Sequence, residues 1–193
     1  LLARRPGARV VYDVKCSRRL GEVIREAGGE PEMWRSGHSF IKARMEETGA
    51  LLGGEMTGHL FFGEHWFGFD DAIYAAAHLL EILLATERTP EEVFAGLPHG
   101  VATPELHIPL AEERHGPVLE ALLARARFEG AELTLIDGLR VDYPDRWGLV
   151  RPSNTSPNLV LRFEGDDQHA LDAIKNEFRT LLLGVDPSLR IPF

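Results

Sequence analysis

What this chain is short of narrows the field before anything it contains. One cysteine, Cys16, in 193 residues excludes an internal disulfide and a multi-cysteine zinc site, and it suits a reducing compartment. Basic residues are also scarce: 21 Lys and Arg stand against 30 Asp and Glu, for a net charge of -9 and a pI near 5.4. That balance works against nucleic acid or an anionic membrane as a general partner. Any anionic ligand must then be held by a local cluster. No apolar run approaches the roughly 18 residues of a membrane span, and no basic-then-apolar signal segment opens the chain, so the cytoplasm is the expected setting. Repeats and low-complexity stretches are missing. The first residue is Leu1 rather than Met, and the chain is expected to be a piece of something longer.

What is present reads as two domains. With 44% hydrophobic residues, the chain can bury one large core or two modest ones. "ARVVYDV" (8–14) is a buried strand. Ser17 caps a helix with Leu20, Val23, Ile24 and Ala27 on one face, which Gly28-Gly29 ends. "EPEMW" (30–34) and "ALLGGE" (50–55) are further short strands around a helix over 39–49. A long amphipathic helix follows from Asp70 or Asp71 to about Thr86, with Ile73, Ala77, Leu80 and Leu84 as its apolar stripe. Alternating strand and helix predicts a parallel α/β layer whose working loops sit at the strand C-termini. "LPHGVATPE" around 97–105 reads as a linker. Beyond it come "LHIPL", a helix over 116–128, a hairpin in which Leu133 and Leu135 alternate across Asp137-Gly138 with Leu139, Val141 and Tyr143, two more strands, and a closing helix over 168–185. This second part is an α+β unit, a small antiparallel sheet with helices on one side.

Four loops have the composition of binding sites. "GGEMTGH" (53–59) sets Glu55, Thr57 and His59 among glycines, which offers an acceptor, a hydroxyl and a switchable base. "RPSNTSPN" (151–158) offers a guanidinium fork, hydroxyls and amides in one turn. Arg pairs bidentately with phosphate, yet Ser, Asn and Pro are also what ordinary turns contain. Lys15, just before a helix N-terminus, fits either an anion site or a solvated helix start. His38, in "RSGHS", is either an exposed loop histidine or a chemical one. Asp70-Asp71 reads better as a helix cap than as a metal site. Phe61, Phe62, Trp66, Phe67 and Phe69 read as packing, with sugar stacking or a protein partner as the alternatives.

Taken together, "DVKCSRRL", "WRSGHS", "GEMTGH", "HWFGFDD", "VDYP", "RPSNTSP" and the terminal "IPF" resemble, in order and spacing, the α-D-phosphohexomutases of the bacterial phosphomannomutase/phosphoglucomutase branch. The resemblance spans essentially the whole chain. It implies an α/β mixed-layer domain 3, incomplete at its N-terminus, over residues 1–97, a linker at 98–104, and a TATA-binding-protein-like α+β domain 4 over 105–193. The family's Thr-Ala-Ser-His-Asn-Pro phosphoserine motif and its Asp-Gly-Asp-Gly-Asp-Arg magnesium loop do not occur here. The chain thus resembles the substrate-recognition half of a mutase, inactive alone, whose missing partners are N-terminal domains 1 and 2.

For the complete enzyme the resemblance implies Mg²⁺ and a hexose 1,6-bisphosphate intermediate, with glucose and mannose 1- and 6-phosphates as substrates. It implies Glu55 and Thr57 on the sugar O3 and O4 hydroxyls. Arg151, Ser153, Asn154 and Thr155 are implied around the non-reacting phosphate. Lys15, His38 and His59 are implied in supporting or acid/base roles, and no metal ligand is implied here. Thr57 stands where the family usually has Ser, which adds a methyl that restricts χ1. Pro152 biases Arg151 toward extended backbone and removes an N–H from the loop. A stand-alone, non-catalytic phosphosugar-binding module is the alternative reading.

Overall fold

The computed structural model describes Leu1–Phe193 and resolves it into two compact units, Leu1–His99 and Gly100–Phe193. In the first, β-branched Val10 and Val11 place β1 (Arg9–Asp13) inside a four-stranded sheet, between β2 (Glu30–Trp34) and β3 (Leu52–Gly54), with β4 (Leu60–Phe62) outside β3. β2 and β3 run parallel to β1, Val11 lying opposite Glu32 on one side and Gly53 on the other. The three strands expected from the sequence pattern are parallel, and a further strand, β4, pairs antiparallel with β3, Leu52 opposite Phe62. The turn between them is too short for the dozen or so residues a parallel crossover needs. The sheet is therefore mixed.

α1 (Arg18–Glu26) and α2 (His38–Thr48) make the two crossovers. The Ser17 hydroxyl accepts the Arg19 N–H at the start of α1, and α2 stops at Gly49. Successive β1 side chains point to opposite faces, so two small cores form. Val11 joins Ile41, Met45, Ala50 and Phe61, while Val10 and Tyr12 join Cys16 and Ile24.

α3 (Ala72–Leu84) is capped by Asp71, whose Oδ1 accepts the Ile73 and Tyr74 N–H groups. Its predicted apolar stripe does not face the core: Ile73 and Leu84 are each 85% exposed and Leu80 is 59% exposed. Contact is made one face round, where Tyr74 and His78 pack on Phe62 and Trp66 stacks on Tyr74 at 4.2 Å. The rings of the aromatic run thus set the rotation of the helix. An apolar groove of about 680 Å³, lined by Leu52, Leu60, Phe62, Leu79 and Ile82 among others, lies beside it. α4 (Pro90–Ala95) was not evident in the sequence pattern. It rests on a reciprocal cap in which Thr89 Oγ1 accepts the Glu92 N–H and Glu92 accepts the Thr89 N–H.

The second unit is a six-stranded antiparallel sheet. β10 (Asn158–Gly165) pairs with β9 (Arg146–Pro152), and β9 is followed outward by β8 (Leu139–Asp142) and β7 (Glu132–Thr134). On its other side β10 pairs with both β5 (Val101–Ala102) and β6 (Leu106–Pro109). β5 falls inside the stretch read as a linker. It belongs to the sheet because Thr103 continues the ladder, exchanging bonds with the Phe163 backbone.

α5 (Glu112–Arg125) begins one turn earlier than the expected Gly116, with Glu112 and Glu113 complementing the dipole in its first turn. α5 and α6 (Gln168–Val185) cover the sheet face made by Val141, Val150, Leu159, Leu161 and Phe163, contributing Val118, Leu122, Ile174, Phe178 and Leu182. Leu133 and Leu135 of the predicted hairpin sit at the outer edge and stay largely exposed, since β7 has a neighbour on one side only. No helix is long and apolar enough to cross a membrane.

Candidate functional site

In the first unit, three loops leave the C-terminal ends of the parallel strands: Val14–Ser17 after β1, Arg35–Gly37 after β2 and Glu55–His59 after β3. They carry Lys15, Glu55, Thr57 and His59, with His38 following directly as the first residue of α2, and two carboxylates bind the loops to one another. Asp13, the last residue of β1, is completely buried. Its Oδ2 accepts the Ser36 hydroxyl at 2.7 Å, and its Oδ1 accepts the Met56 N–H at 3.2 Å and the Cys16 thiol at 3.1 Å. The Lys15 ammonium lies 3.8 Å from Oδ2. One side chain therefore touches all three loops.

Glu55 supplies the second tie. Its Oε1 accepts the N–H of Gly37, the N-cap of α2, at 2.5 Å. A carboxylate at that helix end answers the dipole and one orphan N–H together. Each carboxylate oxygen has two lone pairs, so Glu55 keeps acceptor capacity for a ligand while held in place. The loop itself is closed by Gly58 N–H to the Glu55 carbonyl and Glu55 N–H to the His59 carbonyl, with Gly58 at φ 91°. Such a positive φ suits glycine. This turn leaves Thr57 and His59 exposed at the tip.

His59 Nδ1 lies 2.5 Å from Asp70 Oδ2, and Phe61 forms a bridge with Asp70 that sets the distance. Of the aspartate pair, Asp71 is the helix cap and Asp70 is the histidine's partner. His38 begins α2 and is exposed.

In the second unit, Arg151 is the next-to-last residue of β9 and is 4% exposed. Its Nε donates to Asp137 Oδ2 at 2.9 Å, while its Nη2, also buried, makes no hydrogen bond. Ser153 Oγ accepts the Thr155 and Ser156 N–H groups, each at 3.2 Å, and the Ser156 hydroxyl at 2.9 Å. It shapes the loop from within, with the Thr155 hydroxyl a further 3.5 Å away. Asn154 and Thr155 are exposed at the loop tip.

Sequence reasoning passed over Asp13 and Asp137 as site residues. Both stand in stretches read for other reasons, one as a strand end and one as a turn dipeptide. The only signal was a carboxylate next to a strongly buried strand. No group of three or more His, Cys, Asp or Glu in this chain is arranged to hold a metal ion, so these residues by themselves form no site for the Mg²⁺ that the resemblance implies for the complete enzyme.

In both units these loops place polar groups at strand ends, where α/β and α+β folds commonly carry their binding residues. A solved structure of a phosphoglucomutase/phosphomannomutase family protein from Burkholderia thailandensis superposes with a TM-score of 0.92 at 49% identity, covering all of this chain and 41% of that one. The family profile "Phosphoglucomutase/phosphomannomutase, alpha/beta/alpha domain III" matches residues 1–100, and the profile of the C-terminal domain matches residues 105–181. The chain belongs to the phosphoglucomutase/phosphomannomutase family. It is 53% identical over its whole length to a phosphomannomutase/phosphoglucomutase of Pseudomonas aeruginosa, of which it spans 42%. It is 55% identical over 184 residues to a phosphoglucomutase of Neisseria gonorrhoeae, covering 94% of this chain and 40% of that one.

Proposed function

We propose that this chain provides the substrate-recognition residues of a cytoplasmic mutase that interconverts hexose 1-phosphates and hexose 6-phosphates of glucose and mannose. In this reading a phosphoserine outside these residues donates its phosphoryl group, and the hexose 1,6-bisphosphate reorients before returning the other phosphate. Such chemistry asks little covalent work of the protein and much positioning. Glu55 and Thr57 would bind the O3 and O4 hydroxyls, which glucose and mannose share. Arg151, Ser153, Asn154 and Thr155 would hold the phosphate that is not reacting. Lys15, His38 and His59 would contact the ligand or move protons at its hydroxyls, His59 with its tautomer directed by Asp70.

The observation that carries the proposal is the tie between loops: Asp13 and Glu55 bond Ser36, Gly37 and Met56, which joins the loops that bear Lys15 and Thr57 to the start of α2, where His38 stands. Preorganised polar groups of this kind are what a sugar needs to be gripped in two orientations. Glu55→Gln tests it, in the protein at its natural length. The glutamine carbonyl still accepts the Gly37 N–H, so the cap survives while the charge on the ligand side is lost. A charge-assisted hydrogen bond of about 1.5–3 kcal/mol corresponds to a loss in kcat/KM of roughly 10- to 150-fold. The loss should be similar for glucose 1-phosphate and mannose 1-phosphate, which differ only at C2. A loss confined to the mannose substrate, or none at all, refutes the assignment.

A further inference from the structure

Two arginines of the second sheet face acidic partners in different ways. Arg140, fully buried on β8, is gripped at two points: its Nε meets both Asp142 oxygens, at 2.8 and 3.1 Å, and its Nη2 meets Oδ1 at 2.8 Å. Its guanidinium also lies 4.0 Å over the Trp147 ring. That is a closed structural pair. Arg151, equally a β-strand arginine and almost equally buried, meets Asp137 through Nε alone, and its Nη2 is left buried without a bond. An unmade bond on a buried charged donor costs more than a made one gains, so Nη2 is a donor in want of an acceptor.

The backbone around Arg151 is built to the same end. Asp137 belongs to the turn between β7 and β8, and the next residue, Gly138, has φ 91°. A Cβ on Gly138 would run into the Val150 carbonyl oxygen and come within 2.7 Å of Arg151 Cβ. Only glycine lets the turn lie this close against the end of β9. The close approach brings the Asp137 carboxylate, 8% exposed, to the Nε side of the guanidinium.

We infer that Asp137 is a positioning residue for Arg151: it takes the Nε–H, fixes the guanidinium plane, and leaves the Nη end directed at an incoming phosphate. The inference rests on reading the Arg151–Thr155 loop as a phosphate cradle. A fixed negative charge beside a phosphate site opposes the ligand's charge, so the arrangement makes sense only if orientation contributes more than the repulsion costs. Asp137 does not touch the ligand. It acts through Arg151.

The test is calorimetric titration of glucose 1-phosphate into the natural-length protein as wild type, Arg151→Ala, Asp137→Asn, Asp137→Ala and Arg151→Ala combined with Asp137→Asn. Arg151→Ala should weaken binding roughly 10- to 150-fold, Asp137→Asn about 5-fold, and Asp137→Ala about 5- to 30-fold. In the Arg151→Ala background, Asp137→Asn should change affinity by less than about twofold, because its effect passes through the missing guanidinium. Unchanged or tighter binding by both Asp137 variants overturns the inference. So does an Asp137→Asn loss that persists without Arg151, which would make Asp137 a structural residue of the turn. Unchanged binding by Arg151→Ala overturns the phosphate reading instead.

Discussion

Removing the Asp13 carboxylate should destabilise the first unit selectively. Asp13 is fully buried and accepts from Ser36, Met56 and Cys16, with the Lys15 ammonium 3.8 Å away. In Asp13→Ala the part-buried Met56 N–H loses its acceptor, at about 1 kcal/mol. The Lys15 charge, itself nearly buried, loses the carboxylate 3.8 Å away, and breaking a buried pair costs up to about 3–5 kcal/mol. These losses share one side chain and do not add, so about 3–5 kcal/mol is the expected total. A folded unit has only about 5–15 kcal/mol to lose. At a urea slope of about 2 kcal/mol/M, the midpoint should fall by about 1.5–2.5 M.

Asp13→Asn should lose less, about 2 kcal/mol, since one oxygen remains but an NH₂ now faces donors. Tryptophan fluorescence can follow this, because Trp34 and Trp66 belong to the first unit and Trp147 to the second. Retaining only Trp34 and Trp66 reports the first unit alone, and retaining only Trp147 reports the second. A midpoint of the first-unit transition within about 0.3 M of wild type would refute the argument that Asp13 holds the loops.

Burial and exposure give a paired test elsewhere: Phe178→Ala, in the core between α6 and the sheet, should cost about 3–5 kcal/mol, whereas Leu84→Gln, on the open face of α3, should stay within about 0.5 kcal/mol by chemical denaturation. Acid should erode stability through particular carboxylates. The hydrogen bond from Arg5 holds Glu64 below its ordinary 4.5, and the bonds from Ser188 hold Asp186 below its ordinary 3.8. Acids with depressed folded values contribute stability above their unfolded values and lose it as pH falls through the folded ones. The melting temperature should therefore begin to drop below about pH 4 and keep dropping further down, and Asp186→Asn should flatten the acid limb. An acid limb identical in that variant would dismiss Asp186 as a contributor.

The path from sequence to structure was clearest where periodicity and punctuation agree. The β1 run, the Ser17 cap, the Gly49 stop and the Asp137-Gly138 hairpin are all local signals, decided within a few residues, and each appears where the pattern puts it. α3 shows the limit. Its stripe of Ile73, Ala77, Leu80 and Leu84 is as good a helical signal as α6's, yet periodicity reports only that one face is apolar, never what covers it. Aromatic stacking of Trp66 on Tyr74 and of Phe62 on His78 chose a different face. β4 escaped for a related reason: a three-residue strand has almost no pattern of its own, and its pairing follows from the length of the turn before it.

The site divides along the same line. Exposed, composition-rich residues such as Thr57, His59 and Asn154 announce themselves, because loops with Gly, Ser and Asn are legible as loops. The residues that hold them do not. Asp13 sits in a strand, Asp137 in an ordinary turn dipeptide, and Asp70 beside a helix cap, and each has a partner between 11 and 43 positions away. Glu55 shows why this matters for function. Seen as a loop residue it is a free acceptor for sugar hydroxyls, but its Oε1 also caps α2 through Gly37. A truncation to alanine would therefore remove a ligand contact and a helix cap in one step, and the resulting loss of activity would say nothing about which mattered. Glutamine keeps the cap and removes only the charge, so the substitution that can be interpreted is chosen by a hydrogen bond that no single-sequence pattern contains.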